Sequence, residues 1–176
     1  MRLAASLALL TALCVAPAAE NTVLSAFGAN DWVPEKWNKT DGTATNVPDG
    51  ANKTPNGQKL EVRFSGKGFE YFVINPSSAI TVPKDATSLS MWVKGSKPGY
   101  PVVVKFRDGK GQQKLADKDI EWPIFDATGD AWQQQHFSIP GSWEKPLTIY
   151  AIAVHNWDKQ ADAVAVTYYL DELAAR

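Results

Sequence analysis

LTIYAIAVHNW (residues 147–157) and AVAVTYYLDEL (residues 163–173) decide how this chain folds. They read as two long β-strands, Leu147 to Asn156 and Ala163 to Leu173, joined by the polar connection Trp157 to Asp162. In the second, Val164, Val166, Tyr168 and Leu170 recur at period two and share one face; Thr167, Tyr169 and Asp171 take the other. So apolar a strand is a liability at the edge of a sheet, so it is expected at the centre, covered by the rest of the domain.

Working outward, the same reading extends along the chain. VLSAF (23–27), KLEVRF (59–64), FEYFVIN (69–75), LSMWVKG (89–95), PVVVKFRD (101–108), QQKLADKDIEW (112–122) and WQQQHFSI (132–139) all read as strands. Asp41-Gly42, Pro48-Asp49-Gly50, Pro55-Asn56-Gly57, Gly66-Lys67-Gly68 and Asp108-Gly109 supply turn chemistry between or before them. Residues 31–58 read as a long polar loop region. No segment keeps a helical period and no repeat or linker divides the chain. The expectation is therefore an all-β single domain, a β-sandwich or jelly roll.

The start is different. Arg2, an apolar run from Leu3 to Val15, and Ala16-Pro17-Ala18 form the three regions of a secretory signal peptide. Residues 1–18 are thus expected to be removed and residues 19–176 to form the domain, secreted or periplasmic. Leu13 before Cys14 disfavours lipidation, and the processed chain has no cysteine to cross-link. Removing Arg2 from 18 basic residues leaves 17 against 19 acidic, a net charge of −2 with no basic stripe. Nucleic acid is not an expected partner. A second apolar segment long enough to span a membrane is absent from the sequence, and a monomer is expected.

Seven tryptophans stand out, all beyond the leader. Sorting four strands by alternation gives core faces Leu60/Val62/Phe64, Leu89/Met91/Val93, Val102/Val104/Phe106 and Phe137/Ile139. The opposite faces pair aromatics with hydrogen-bonding groups: Ser90/Trp92/Lys94, Val103/Lys105/Arg107 and Trp132/Gln134/His136. An indole takes the C–H face of a sugar ring, and planar amide, guanidinium or imidazole groups take its hydroxyls. Trp92, Arg107, Trp132, Gln134 and His136 are the candidate sugar-binding residues. Loop tryptophans Trp122, Trp143 and Trp157 are further candidates, since loops on a rigid sandwich are common binding positions. Trp32 and Trp37 read as packing residues.

The order of these pieces, above all SMWVKG (90–95) and YLDEL (169–173), resembles carbohydrate-binding modules of the galactose-binding-like β-sandwich superfamily. The resemblance spans essentially all of residues 19–176. It implies binding of a poly- or oligosaccharide without catalysis, and a structural calcium ion held by the Asp of the last strand. Asp171 matches that position, with Asp49 or Glu35 as conceivable further ligands.

Two other functions stay open. One is a structural or protein-binding sandwich of the cell envelope. The other is a small jelly-roll glycoside hydrolase, because Asp117, Asp119 and Glu121 alternate and would line one face of a strand. Against it, KDIEWPI (118–124) lacks the flanking glutamates of jelly-roll glucanases. There is no G-x-S-x-G elbow, and His136 and His155 lie on separate strands. Asn38-Lys39-Thr40 and Asn52-Lys53-Thr54 match the glycosylation sequon.

Overall fold

The computed structural model describes residues 21–36, 38–51, 54–95, 99–125, 129–156 and 161–176. The signal-peptide reading, Trp37, the sequon asparagine Asn52 and the candidate Trp157 lie outside them.

Among the described residues fourteen strands run in the order β1 Thr22–Ser25, β2 Trp32–Pro34, β3 Asp41–Val47, β4 Gly57–Phe64, β5 Tyr71–Pro76, β6 Ile80–Thr81 and β7 Ser88–Gly95. They continue with β8 Val102–Arg107, β9 Lys114–Leu115, β10 Lys118–Asp119, β11 Glu121–Ile124, β12 Gln133–Ser138, β13 Thr148–His155 and β14 Val164–Ala175. One sheet has the order β12-β7-β14-β4-β3, with β1 also on β14. The other has the order β11-β8-β13-β5-β2, with β6 also on β13. All recorded pairings are antiparallel.

Both strands of the deciding stretch are central, one in each sheet. β13 lies between β8 and β5, and β14 between β7 and β4. They are therefore not a hairpin: the connection between them crosses from one sheet to the other. Gly66-Lys67-Gly68 makes the same kind of crossing from β4 to β5 rather than the tight hairpin its glycines suggest.

The core is what the alternation predicts. Leu60, Val62, Phe64, Leu89, Met91, Val93, Val166, Tyr168 and Leu170 face inward from the first sheet. Phe72, Ile74, Val102, Val104, Phe106, Ile149, Ile152 and Val154 meet them from the second. Tyr168 is buried yet satisfied, its hydroxyl donating to the Tyr100 carbonyl at 2.5 Å.

The 31–58 region holds two strands that the sequence reading took for loop. β3, Asp41–Val47, is an edge strand of exposed, polar and small residues. It has no apolar period to reveal it, because its pairing with β4 depends on backbone hydrogen bonds. Asn38 adds to this region: its side-chain amide exchanges hydrogen bonds with the Val73 backbone, 3.0 Å to the carbonyl and 2.5 Å from the N–H. That asparagine is used structurally, which argues against its sequon as a glycan attachment point.

A register shift in β13 between Ile149 and Ala151 positions the site. Ile149 and Ile152 are both inward, so Tyr150 and Ala151 lie between them with a break in the two-residue period.

Candidate functional site

The outer face of the second sheet carries a groove of about 710 Å³, within the range typical of small-molecule sites. Strand β5 offers Tyr71, Val73 and Asn75, β13 offers Tyr150, Ala151 and His155, and β8 offers Lys105 and Arg107. Phe69, Glu35, Gln113 and Asp119 reach it from the connections. Its floor is apolar and low, because Val73, Ala151 and Ala153 pack as a small cluster flanked by Tyr71 and Tyr150.

Aromatic groups stand at both ends of that floor. At one end Phe69, Tyr71 and His155 form a triangle of rings, with centroids 5.7, 5.5 and 6.0 Å apart. Phe69 is half exposed. At the other end Tyr150 carries the Arg107 guanidinium over its ring at 5.0 Å. Tyr150 and His155 are five positions apart on β13, roughly 16 Å of extended strand, room for several consecutive sugar rings.

The electrostatics follow from burial. His155 is held down to about 4 by desolvation, with the positive charge of Lys105 adding to it. At neutral pH its ring is uncharged, with one nitrogen a donor and the other an acceptor. Lys105 pairs with Glu121 at 3.4 Å, both side chains largely buried. Burial pushes the Glu121 carboxyl up, and Lys105 opposes this. The Tyr150 phenol is pushed up by burial and then by Asp119.

Of the candidate sugar-binding residues that the structure describes, only Arg107 lines this groove. Trp92, Gln134, Trp132 and His136 come together on the outer face of the other sheet, where Gln134 faces Trp92 and His136 faces Ser90 across β12 and β7. There Trp132 meets Tyr169 edge-on at 6.3 Å, and the Lys94 ammonium sits 4.5 Å from the Tyr169 ring centroid and 5.6 Å from that of Trp132. The Trp92 indole N–H is buried with no hydrogen-bond partner among the described residues. With the whole core between them, Arg107 and this cluster cannot hold one ligand. The expectation of a single set is corrected on that ground.

Trp122 is corrected too. It is 5% exposed and stacks on Phe137 at 5.5 Å, so its ring belongs to the core and offers no face to a sugar. Trp143 packs on Phe106 and Phe137, at 5.6 and 5.4 Å. Asp117, Asp119 and Glu121 do not share one strand face. Asp117 sits in a turn with φ 65°, Asp119 pairs with Lys114 at 3.8 Å on an exposed hairpin, and Glu121 pairs with Lys105.

The residues that alternation missed are Tyr71, Tyr150 and Phe69. Their strands read as unbroken apolar runs because the outward positions, Val73, Ala151 and Ala153, are apolar as well. The signal available was the pair Phe72/Ile74, which, once set inward, turns Tyr71 and Asn75 outward.

Asp171 occupies a different place, fully buried under the Pro48–Gly57 loop. Its Oδ1 accepts from the Glu172 N–H at 2.7 Å and its Oδ2 from the Ala51 N–H at 2.8 Å and from the Thr54 hydroxyl. Burial pushes this carboxyl up, and those donors oppose it. The Thr54 hydroxyl also lies 2.8 Å from the Ala51 carbonyl and 3.3 Å from that of Asn56. One proton cannot serve three acceptors, so the cluster is rich in oxygen and short of hydrogen. A Cβ placed on Gly50 would collide with the Asn56 carbonyl, Thr54 Oγ1 and Asp171 Oδ2 together. A carboxylate, a hydroxyl and backbone carbonyls converging beside a glycine is a donor set that fits a hard cation such as calcium. Glu35 lines the groove on the opposite sheet and is not part of this set, and Asp49 is exposed.

No protein-family model matches the sequence, and no curated protein matches it. Solved structures do match. A family 11 carbohydrate-binding module of a cellulosomal cellulase of Clostridium thermocellum superposes with TM-score 0.56 at 15% identity, covering 90% of this chain and 95% of that one. A family 11 module from the same organism, in complex with a β-1,3-1,4-mixed-linked tetrasaccharide, gives 0.57 at 12% identity, covering 88% and 94%. A glycoside hydrolase domain, Endo-D from Streptococcus pneumoniae, gives 0.55 at 18% identity, covering 82% of this chain but 21% of that one. At such identities the likeness is one of fold, a sandwich of two antiparallel β-sheets.

Proposed function

We propose that this protein is an exported, non-catalytic domain that binds a poly- or oligosaccharide in the groove of the second sheet. The observation that carries the reading is the pair of aromatic ends, Tyr71 with Phe69 and His155 at one and Tyr150 at the other, above an apolar floor. Sugar rings lie with their C–H faces on these rings. Arg107 and Asn75 hydrogen-bond the hydroxyls, and the buried His155 ring supports the aromatic face beside Tyr71. The pre-formed sheet holds these groups in place before the ligand arrives, which limits the ordering cost of binding. The fold likeness to a module solved with a mixed-linkage tetrasaccharide supports the same reading.

The proposal includes a calcium ion at Asp171, held with Thr54 and the Asn56 carbonyl. Bound there it would be structural, neutralising the buried Asp171 carboxylate and linking Thr54 and Asn56 to β14.

Affinity electrophoresis through gels containing mixed-linkage β-glucan, β-1,4-galactan or xylan tests the function. Retardation is expected, and Tyr71→Ala and Tyr150→Ala should each weaken it about tenfold or more, roughly 1.4 kcal/mol or above. Unchanged mobility in every gel would sink the proposal.

A further inference from the structure

Past β8 the chain leaves the second sheet and builds a hairpin, β9 and β10, that pairs with neither sheet. Its register is Lys118 with Leu115 and Asp119 with Lys114. Every residue from Gly111 to Asp119 is exposed. The turn is made by Ala116 and Asp117 at φ 50° and 65°, both left-handed. A two-residue hairpin turn of this kind prefers Asn-Gly or Asp-Gly, and alanine there adopts a conformation it ordinarily avoids. The ion pair between Lys114 and Asp119 is 3.8 Å long with both side chains more than half exposed, and such pairs contribute little.

The base of the hairpin is the opposite. Buried Asp108 accepts from the Lys110 and Gln112 N–H groups at 2.9 and 2.8 Å. Ile120, 2% exposed, donates to the Gln113 carbonyl at 2.9 Å, and its own carbonyl accepts from Phe106 at 2.9 Å. A fixed base thus carries a tip held by its own two strands, and an isolated two-stranded hairpin is marginal in water. From this hairpin Gln113 and Asp119 reach the groove beside Arg107 and Tyr150.

We propose that the Gly111–Asp119 hairpin is a strap that closes on an occupied groove, with Gln113 and Asp119 as the residues that determine which glycan is kept. The inference rests on the groove being the sugar site. The Asp119 carboxylate accepts from neighbouring hydroxyls on one ring, and the Gln113 amide both donates and accepts. Asp119 and Glu35 belong to the same groove. Arg107 and Lys105 line the groove too, but Lys105 is already paired with Glu121, so a chain carrying uronate or sulfate groups is repelled where it meets the Asp119 carboxylate of the strap, which biases the site toward neutral polysaccharides.

Hydrogen exchange on the free protein comes first. Amides of residues 114–119 should exchange freely while those of Gln112 and Ile120 stay protected, and protection at the tip already present without sugar would overturn the strap. Surface plasmon resonance with immobilised mixed-linkage β-1,3-1,4-glucan, β-1,4-galactan, xylan and polygalacturonate then reads the kinetics. Gln113→Ala and Asp119→Ala should raise koff about tenfold each, with kon and Tm unchanged, and Asp119→Asn should narrow the gap between the neutral chains and polygalacturonate. Unchanged koff in both alanine variants, alongside lost binding in Tyr150→Ala, would overturn the strap and leave the groove standing. If the unmutated protein is retained by none of the four, the groove reading fails and the strap with it.

Discussion

Lowering the pH from 7 to 5 should remove about 2 kcal/mol of folding stability through one side chain, His155. Its imidazole is 6% exposed and packed against Phe69 and Tyr71, and burial holds its folded pKa at about 4 against an ordinary 6.5. The unfolded chain therefore takes up a proton near pH 6.5 that the folded chain refuses until about pH 4. Between those values the unfolded state binds more protons, so stability falls as pH falls, by up to about 1.4 kcal/mol per unit. The full penalty, reached below pH 4, is about 3 kcal/mol, from ~2.5 units at 1.36 kcal/mol each. Asp171 contributes with the opposite sign, since burial raises its pKa and protonation on acidification favours the folded state. The comparison must therefore be between proteins. Urea unfolding followed by tryptophan fluorescence at pH 7, 6 and 5, on the unmutated chain and on His155→Gln, isolates the histidine. The two stability curves should converge as the pH falls, closing by about 2 kcal/mol between pH 7 and 5. Parallel curves would refute the reasoning, because they would mean that His155 titrates alike folded and unfolded.

Three further outcomes are expected. Trp122→Ala should cost about 3–5 kcal/mol as a large-to-small core change, seen in urea midpoints, while the variant that remains folded binds glucan with unaltered affinity. Calcium at a hundred times its Kd, compared with a chelator, should add about 2.7 kcal/mol, a Tm rise of roughly 5–10 °C for a domain of this size; the rise should vanish in Asp171→Asn, and equal Tm with calcium and with chelator in the unmutated chain would exclude the ion. Gly42→Ala should cost about 1–3 kcal/mol by overpacking, because its Cβ would sit 2.6 Å from the Phe72 ring and 3.0 Å from the Glu61 carbonyl; differential scanning calorimetry measures it.

How far the sequence could be read depended on whether a strand had two different faces. β4, β7 and β14 each set apolar against polar residues, and their inward positions, Leu60, Met91 and Leu170 among them, were legible from alternation alone. β5, β8 and β13 are apolar on both faces, with Val73, Val103 and Ala153 buried on the side away from the core, so their pattern concealed the groove. The count of tryptophans does not point to this groove. Trp32 and Trp122 are structural, and Trp92 and Trp132 lie on the far sheet, whereas the groove is built with tyrosine, phenylalanine and histidine. The bulge that turns Tyr150 and Ala151 toward the groove is a matter of register with β8, which one strand's own residues do not encode. Asp171 stands out in the sequence by its place in YLDEL. Its partners Ala51 and Thr54, more than a hundred residues away, do not, since a backbone N–H and a hydroxyl leave no mark in a sequence.

The position of β14 has a consequence for how the chain reaches its fold. The strand nearest the end of the sequence is the middle of the first sheet, joining β7 to β4, and its last residues also pair with the first strand, Thr22 with Ala175. Without residues 164–175, β7 and β4 have no partner in common and β1 has none in that sheet. Residues 164–175 therefore have to be made before the first sheet can close, and most of the native pairings span long stretches of chain. Folding should be slow for a domain of this size, in the millisecond-to-second range typical of such topologies.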